Sequence, residues 1–363
     1  MHVAIFNLRF DETDPTLGHT ILWARQFLKE FKEVHVYSVH VGRFPNIENL
    51  HIKELGGGSM VSKLKAAYNI ILAVVSIIKH RRDFVVFYHM TERISGITSL
   101  FFRVANIKQA LWYSHSSRSI WLKLSVLFCD FVYSPTSQSF PLKHRKVRTV
   151  GHGISNEFKR IIPFDQRLSN KILHLGRVSR IKQIENLIHA IERLNIEMDL
   201  RFGIDLVGPI LDYDYWLELQ GVAEDSNVTL NHLGTYPLSD ISQLINKYKF
   251  AYTGNPSTID KAAVEALSCG AMVITTVPTL WDHLHLMEIH SAHSNLDAIP
   301  PLENQLNEFL SHESRTIPYL NRVSFQVQQE NSLKNLIHDI SYRLKGFILD
   351  SDIKHDQETS GGN

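Results

Sequence analysis

Arg177 and Lys182 lie five residues apart, across a junction where the strand-like run Lys171 to Leu175 gives way to Gly176 and then to a helical pattern from about Ile184 to Leu194. A planar guanidinium, a point-charge ammonium and the backbone N–H groups of a helix start together suit a diphosphate. The segment is not a P-loop, because it lacks the second glycine and the Ser or Thr that would hold magnesium. A second chemical cluster is the stretch Ser257 to Thr276, STIDKAAVEALSCGAMVITT, which reads as a helix between two strands, Lys249–Tyr252 and Ala271–Thr275. Ser257 or Thr258 can cap that helix, Asp260 suits the positive end of its dipole, and Gly270 stands where a left-handed terminating residue belongs. Lys261 opposes the dipole, so it is either a solvated side chain or a cation aimed at a bound anion. Glu265 sits among Ala262, Ala263, Val264, Ala266 and Leu267. It either points to solvent or needs hydrogen-bond donors, a need that a ligand's hydroxyl pair would meet.

The elements that must position these groups follow a strand-turn-helix rhythm. Val3–Asn7 is a short buried-type strand, followed by a polar loop with Asp11, Asp14 and Gly18 and by an amphipathic helix from about Thr20 to Phe31. That is the opening unit of a doubly wound sheet. Gly18 either lets a ligand approach the backbone or makes a plain turn. Val34–Ser38, Phe84–Tyr88, Ala110–Tyr113 and Phe131–Ser134 supply further strands. His115 follows one of them, where open α/β sheets bind ligands, although a histidine bonded to loop backbone fits the same letters. After a polar linker around Pro163–Asn170 the pattern restarts, with Asp205–Val207 and Val228–Leu230 as later strands. The expected organisation is a first domain over 1–162, a second over 163–322, a helical segment over 323–349 packing back on the first, and a polar, disordered tail over 350–363.

A length of 363 residues fits two domains, and a hydrophobic content of 44% with 21% charged residues is that of a soluble globular protein. A net charge of +1 carries no basic excess, so nucleic acid is not expected as a partner. Cys129 and Cys269 are isolated and apolar in setting, which points away from a disulfide framework and toward the cytoplasm. Met1–Phe6 lacks the form of a signal peptide. The longest apolar run, Ile70–Ile78, falls short of the roughly 20 residues of a spanning helix and is expected in the core. The helix from about Val61 to Lys79 ends in His80, Arg81 and Arg82; this basic end either matches the helix dipole or touches anionic lipid at the inner face of a membrane.

The block LGRVSRIKQIENLIHAIERL, followed in order by LVGP, HLGTYP and VEALSCGAMVIT, resembles the carboxyl-terminal half of the retaining GT-B glycosyltransferases, the group 1 or family 4-like enzymes. VGHGISNEF, Val150 to Phe158, resembles the family's interdomain strand and turn, and LWYSH its amino-terminal strand ending in an active-site histidine. The resemblance spans most of 1–349 and is weaker in the first half. It implies an α/β fold of two Rossmann-like doubly wound domains with an interdomain cleft. It also implies transfer of a sugar from a UDP- or GDP-sugar to a hydroxyl of a glycan or lipid-linked acceptor, as in polysaccharide biosynthesis. Carried over by position, Gly176, Arg177 and Lys182 would bind the donor pyrophosphate, Glu265 the ribose and His115 the transferred sugar, with Gly18 beneath the phosphates. The family often has a glutamate eight positions before the one matching Glu265; here Ser257 stands there. That departure touches the donor-sugar contacts and makes Asp260 and Lys261 candidates for them.

No metal or cofactor is expected, since preplaced cations can stabilise the departing diphosphate. Asp212-Tyr213-Asp214 has the form of a metal-binding Asp-x-Asp, but it follows Gly208-Pro209 in a loop of an already complete sheet pattern. Two other readings stay open. An inverting or epimerase-type GT-B enzyme would draw its base from Asp11, Asp14 or His115. A nucleotide-sugar-binding protein without catalysis would bind donor and transfer nothing.

Overall fold

The computed structural model describes residues 1–14, 16–56, 60–255, 258–286 and 299–346. The chain divides into two compact units, 1–153 with 333–363, and 154–332. Ser257 and the tail over 350–363 lie outside the described residues.

In the first unit the elements run β1 (His2–Phe10), α1 (Thr20–Phe27), β2 (Glu33–Val41), β3 (Leu50–Glu54), α2 (Met60–Lys79), β4 (Phe84–His89), α3 (Glu92–Val104), β5 (Gln109–Trp112), α4 (Ile120–Phe128), β6 (Phe131–Ser134) and β7 (Val147–Thr149). The strands form a seven-stranded parallel sheet in the order β3-β2-β1-β4-β5-β6-β7. Side chains alternate between faces, and both faces are covered. Val3, Ile5, Val85 and Phe87 pack with α1, while Ala4, Phe6, Val86 and Tyr88 pack beneath α2, α3 and α4.

The second unit contains β8 (Leu168–Leu175), α5 (Ile184–Met198), β9 (Gly203–Val207), α6 (Tyr213–Asp225), β10 (Thr229–His232), α7 (Leu238–Ile245), β11 (Tyr248–Thr253), α8 (Lys261–Ser268), β12 (Met272–Thr275), α9 (Pro278–Leu286), α10 (Leu302–Ser311) and α11 (Glu313–Glu330). Its five parallel strands are ordered β10-β9-β8-β11-β12. Every residue of β9 and β11 is buried, as expected of strands covered on both faces.

The boundaries differ from those read in the sequence. The second unit begins at Ile154 rather than near residue 163, because Phe158 and Phe164 belong to its core and Ile154 bridges to Ser332. Within the expected helical segment 323–349, α11 stays on the second unit, where it packs against α8. Only α12 (Leu333–Leu344) returns to the first unit, burying Leu333, Leu336, Ile337 and Ile340 against α1. The run Ile70–Ile78, expected in the core, is divided. Ala73, Val74 and Ile77 are buried, whereas Ile71 and Val75 are more than half exposed on α2.

Candidate functional site

In the second sheet β8 and β9 lead to β10 on one side, and the chain then crosses to place β11 on the other side of β8. The loops leaving β8 and β11 therefore diverge at a topological switch point, the crevice where open parallel sheets bind ligands. Gly176 opens the first loop with φ +147°, in the region that favours glycine, and its carbonyl is overhung by Gly208, where an added Cβ would lie 2.0 Å away. A short 3-10 turn, Arg180–Lys182, carries the chain down into the crevice.

Lys182 is buried and donates to Asp260 Oδ2 at 2.5 Å, so the loop after β8 is tied to the loop after β11. Thr253 Oγ1 donates to the same oxygen at 3.1 Å and Asn255 Nδ2 to Oδ1 at 3.0 Å. Burial pushes the Asp260 carboxyl up, but the Lys182 ammonium and the donors on Asn255, Lys182 and Thr253 outweigh it and hold the group below the usual carboxylate value. Asp260 occupies the N-cap position of α8 without capping it, since its oxygens are turned to Lys182. This differs from the expected cap at Ser257 or Thr258 and shortens the helix to Lys261–Ser268. Gly270 terminates it with φ +72°, as its sequence position implied.

Glu265 is buried, which removes the reading in which it points to solvent. Its partner is Lys261, one turn earlier, whose ammonium also lies over the Phe158 ring at 5.6 Å. Lys261 is thus part-exposed but committed to Glu265 rather than free in solvent. Arg177 is exposed, and among the described residues no carboxylate pairs with it. The start of α5 is more occupied than the sequence implied: Gln183 is left-handed there and the Ile184 N–H donates to the Tyr215 hydroxyl at 2.9 Å.

His174, at the end of β8, escaped the sequence reading because nothing in HLGR separates it from a core histidine. It is fully buried beside the Tyr252 ring, and burial first, then the Lys182 ammonium, push its imidazole down to about 4. A neutral ring is therefore held under the lysine. Gly254 was also missed; an added Cβ would lie 2.2 Å from the Tyr252 hydroxyl and 2.3 Å from the Lys182 carbonyl, so the two loops close only around a glycine.

Asp212 caps α6 by accepting the Tyr215 N–H at 3.0 Å, which accounts for the first carboxylate of the Asp-x-Asp run. A pocket of about 360 Å³ between α5 and α10 is lined by Asn186, His189, Arg193 and Glu303, but its charges are spent on an Arg193–Glu303 pair at 2.8 Å.

In the first unit the switch point falls between β1 and β4. Gly18 follows β1, and an added Cβ would meet the Asp14 carbonyl at 2.6 Å, so the loop's own backbone demands the glycine. Asp14 accepts the N–H groups of Thr16 and Leu17 and pairs with Arg9 at 2.7 Å. Asp11 accepts from Thr13 and from the Arg43 N–H. Slight burial raises the Asp11 carboxyl, but those hydrogen bonds outweigh it and hold it below the usual value, unlike a base tuned toward neutral pH. Both carboxylates shape the loop. His115 is exposed past β5, and its Nδ1 accepts the Ser117 N–H at 3.0 Å, which places the proton of the neutral ring on Nε2. His19 and His89 bring their rings to 5.4 Å at this switch point.

No protein-family model and no curated protein sequence matches the chain. Among solved structures it is similar to Anabaena HepE in complex with UDP, at 15% identity and a TM-score of 0.71 over 96% of this chain and 100% of that one. HepE in complex with UDP-glucose aligns at 13% identity and the same TM-score, over 95% and 100%. Sucrose-phosphate synthase from Thermosynechococcus elongatus aligns at 14% identity and a TM-score of 0.68, over 95% and 98%. WaaG, a glycosyltransferase involved in lipopolysaccharide biosynthesis, aligns at 14% and 0.59, over 95% and 100%. The architecture is that of the GT-B glycosyltransferases, with two Rossmann-like units.

Proposed function

We propose that this chain is a GT-B hexosyltransferase that moves a sugar from a UDP- or GDP-linked donor to a hydroxyl of a glycan or lipid-linked acceptor. Transfer proceeds with retention of anomeric configuration and without metal. The observation that carries this reading is the meeting of Lys182, Asp260, Lys261 and Glu265 at the switch point of the second sheet, on a fold shared with proteins solved with UDP and UDP-glucose.

Bond cleavage between the anomeric carbon and the phosphate oxygen leaves negative charge on the diphosphate and positive character on the sugar. Lys182 and Arg177 are assigned to the diphosphate, Lys182 exchanging its Asp260 partner for phosphate oxygens. The ammonium is already held out of water, so its attraction for those oxygens is little screened. Gly176 lets the backbone approach, and Gly18 is assigned the corresponding place in the first unit. Glu265 accepts the ribose hydroxyls, with Lys261 released from it toward the donor. Asp260 and Lys261 take the donor-sugar contacts that Ser257 cannot supply as a carboxylate. His115 presents Nε2–H to a sugar hydroxyl. The acceptor oxygen bonds to the anomeric carbon on the face the diphosphate leaves, and its proton passes to the departing phosphate oxygen.

A lipid-linked acceptor is favoured by the outer surface of the first unit. Leu64, Tyr68, Ile71 and Val75 of α2 and Phe101 and Val104 of α3 are each more than half exposed, beside Lys63, Lys65 and Lys79–Arg82. The two helices cover the same sheet face and touch each other. An apolar patch rimmed by cations fits the cytoplasmic surface of an anionic membrane, where the protein would bind peripherally. Among the described residues no helix is long and apolar enough to cross one.

A thermal-shift series with UDP, GDP, UDP-glucose and inorganic phosphate, followed by analysis of the product anomer, tests the reading. A nucleoside diphosphate at a hundredfold excess over its Kd should stabilise by about 2.7 kcal/mol. Absence of any nucleotide response would overturn donor binding, and a product of inverted configuration would overturn retention.

A further inference from the structure

At the opposite end of the first sheet from Gly18 and His115, three imidazoles converge on one carboxylate. His2 begins β1, Glu33 begins β2, His35 follows on the same face of β2, and His51 lies in β3. The register sets His2 beside Glu33 and His35 beside His51. Glu33 Oε2 stands 3.3 Å from His2 Nδ1, 3.1 Å from His35 Nε2 and 3.6 Å from His51 Nε2. The candidate ligand atoms of His2, Glu33 and His35 all lie within 4.8 Å of one another. Ligands bonded to zinc at about 2.0–2.1 Å in a tetrahedron are separated by about 3.3 Å, close to the separations of Glu33 from His2 and His35. His2 Nδ1 is buried and has no hydrogen-bond partner despite facing the carboxylate.

We propose that His2, Glu33 and His35 form a site for a divalent transition metal of the zinc class, with His51 supplying a fourth ligand. Imidazole-rich sets favour zinc, nickel and copper over magnesium and calcium, which take oxygen. His51 is half-exposed and stacks on the His35 ring at 4.6 Å, so it can turn toward a metal without disturbing the core. Glu33 is part-exposed and gives the ion a route in from solvent. Because the ligands come from β1, β2 and β3, a bound ion clamps the edge of the sheet. Its role is structural, since the ligands lie at the amino ends of the strands while Gly18 and His115 follow carboxyl ends.

The test uses the whole chain with no polyhistidine tag, stripped with a chelator and dialysed against Zn²⁺, with metal content measured directly and Co²⁺ as a spectroscopic probe. The expected result is one zinc per chain, a visible Co²⁺ ligand-field band, and a melting temperature that rises with zinc concentration. His35→Gln and Glu33→Gln should each weaken binding by at least about tenfold and abolish the zinc-dependent stabilisation. His51→Asn, at an exposed position, repeats the comparison with little risk to folding. Sugar transfer should be the same in these variants as in the parent, which separates this site from the proposed activity. Failure of the parent to bind stoichiometric zinc would overturn the inference. So would equal binding by the variants, which would place the metal on other histidines.

Discussion

Replacing Lys182 with methionine keeps the stem and removes the ammonium, and its effect follows from what that ammonium holds. The Lys182 side chain is 8% exposed and that of Asp260 20%. Removing one member of a buried pair costs about 3–5 kcal/mol, because the remaining charge is stranded. Asp260 keeps Asn255 and Thr253 as donors, so a loss of about 2–3 kcal/mol is expected. The loss has a pH signature. In the parent the folded carboxyl titrates below its ordinary value of 3.8, so the pair's contribution is present above the unfolded value and vanishes as pH falls through the folded one. Without the ammonium the carboxyl loses its largest lowering influence and moves up from the parent's position, so the variant lacks that contribution at neutral pH. The stability gap should therefore be fully open at neutrality and close as pH falls below about 4. Urea unfolding at about pH 7.5 and about pH 3 measures both arms. Asp260→Asn added to Lys182→Met should recover most of the stability but none of the activity. Lys182→Ala should lower turnover by about a hundredfold or more. A gap under about 0.5 kcal/mol, or one indifferent to pH, would refute the account of the pair. Unchanged transfer by the folded variant would refute the assignment of the site.

Three further outcomes are expected. Gly208→Ala forces a Cβ against the Gly176 carbonyl at a backbone angle of +142°, and should cost about 3 kcal/mol in a thermal melt; an unchanged melting temperature would show that the two loops have room to part. His174 is held neutral to about 4, well below the unfolded value of about 6.5, so the unfolded chain binds the extra proton and stability should fall as pH drops through that window. His174→Gln should flatten this part of the stability profile, and a profile identical to the parent's would remove His174 as its cause. Ile71→Asp with Val75→Asp should abolish co-sedimentation with anionic vesicles, and sedimentation that persists would exclude the α2 face as the contact.

The departures of the structure from the sequence reading each have a physical cause. The strands β3 (LHIKE) and β7 (VRT) went unread because each sits at an edge of the sheet, where only partial burial is required and the apolar signal is weak. Ile71 and Val75 were expected inside because hydropathy reports the side chain and not which helix face meets the sheet. The domain boundary was misplaced because the polar stretch after Pro163 resembles a linker, whereas Phe158 and Phe164 are already packed in the second core.

What the amino-acid order determined was local: the alternation of buried strands with helices, the glycine turn after β8, and cations and carboxylates at strand ends. Those features depend on neighbours a few residues apart, and periodicity records them. Tertiary structure decided which charges meet. Lys182 and Asp260 are 78 positions apart, and nothing in either segment names the other. They come together because the chain crosses from one side of β8 to the other before laying down β11. The same holds for His2, Glu33 and His51, scattered along the sequence and joined only by strand register. A parallel sheet sets distant segments side by side through its pairing order, and that order is a property of the folded core rather than of any one segment.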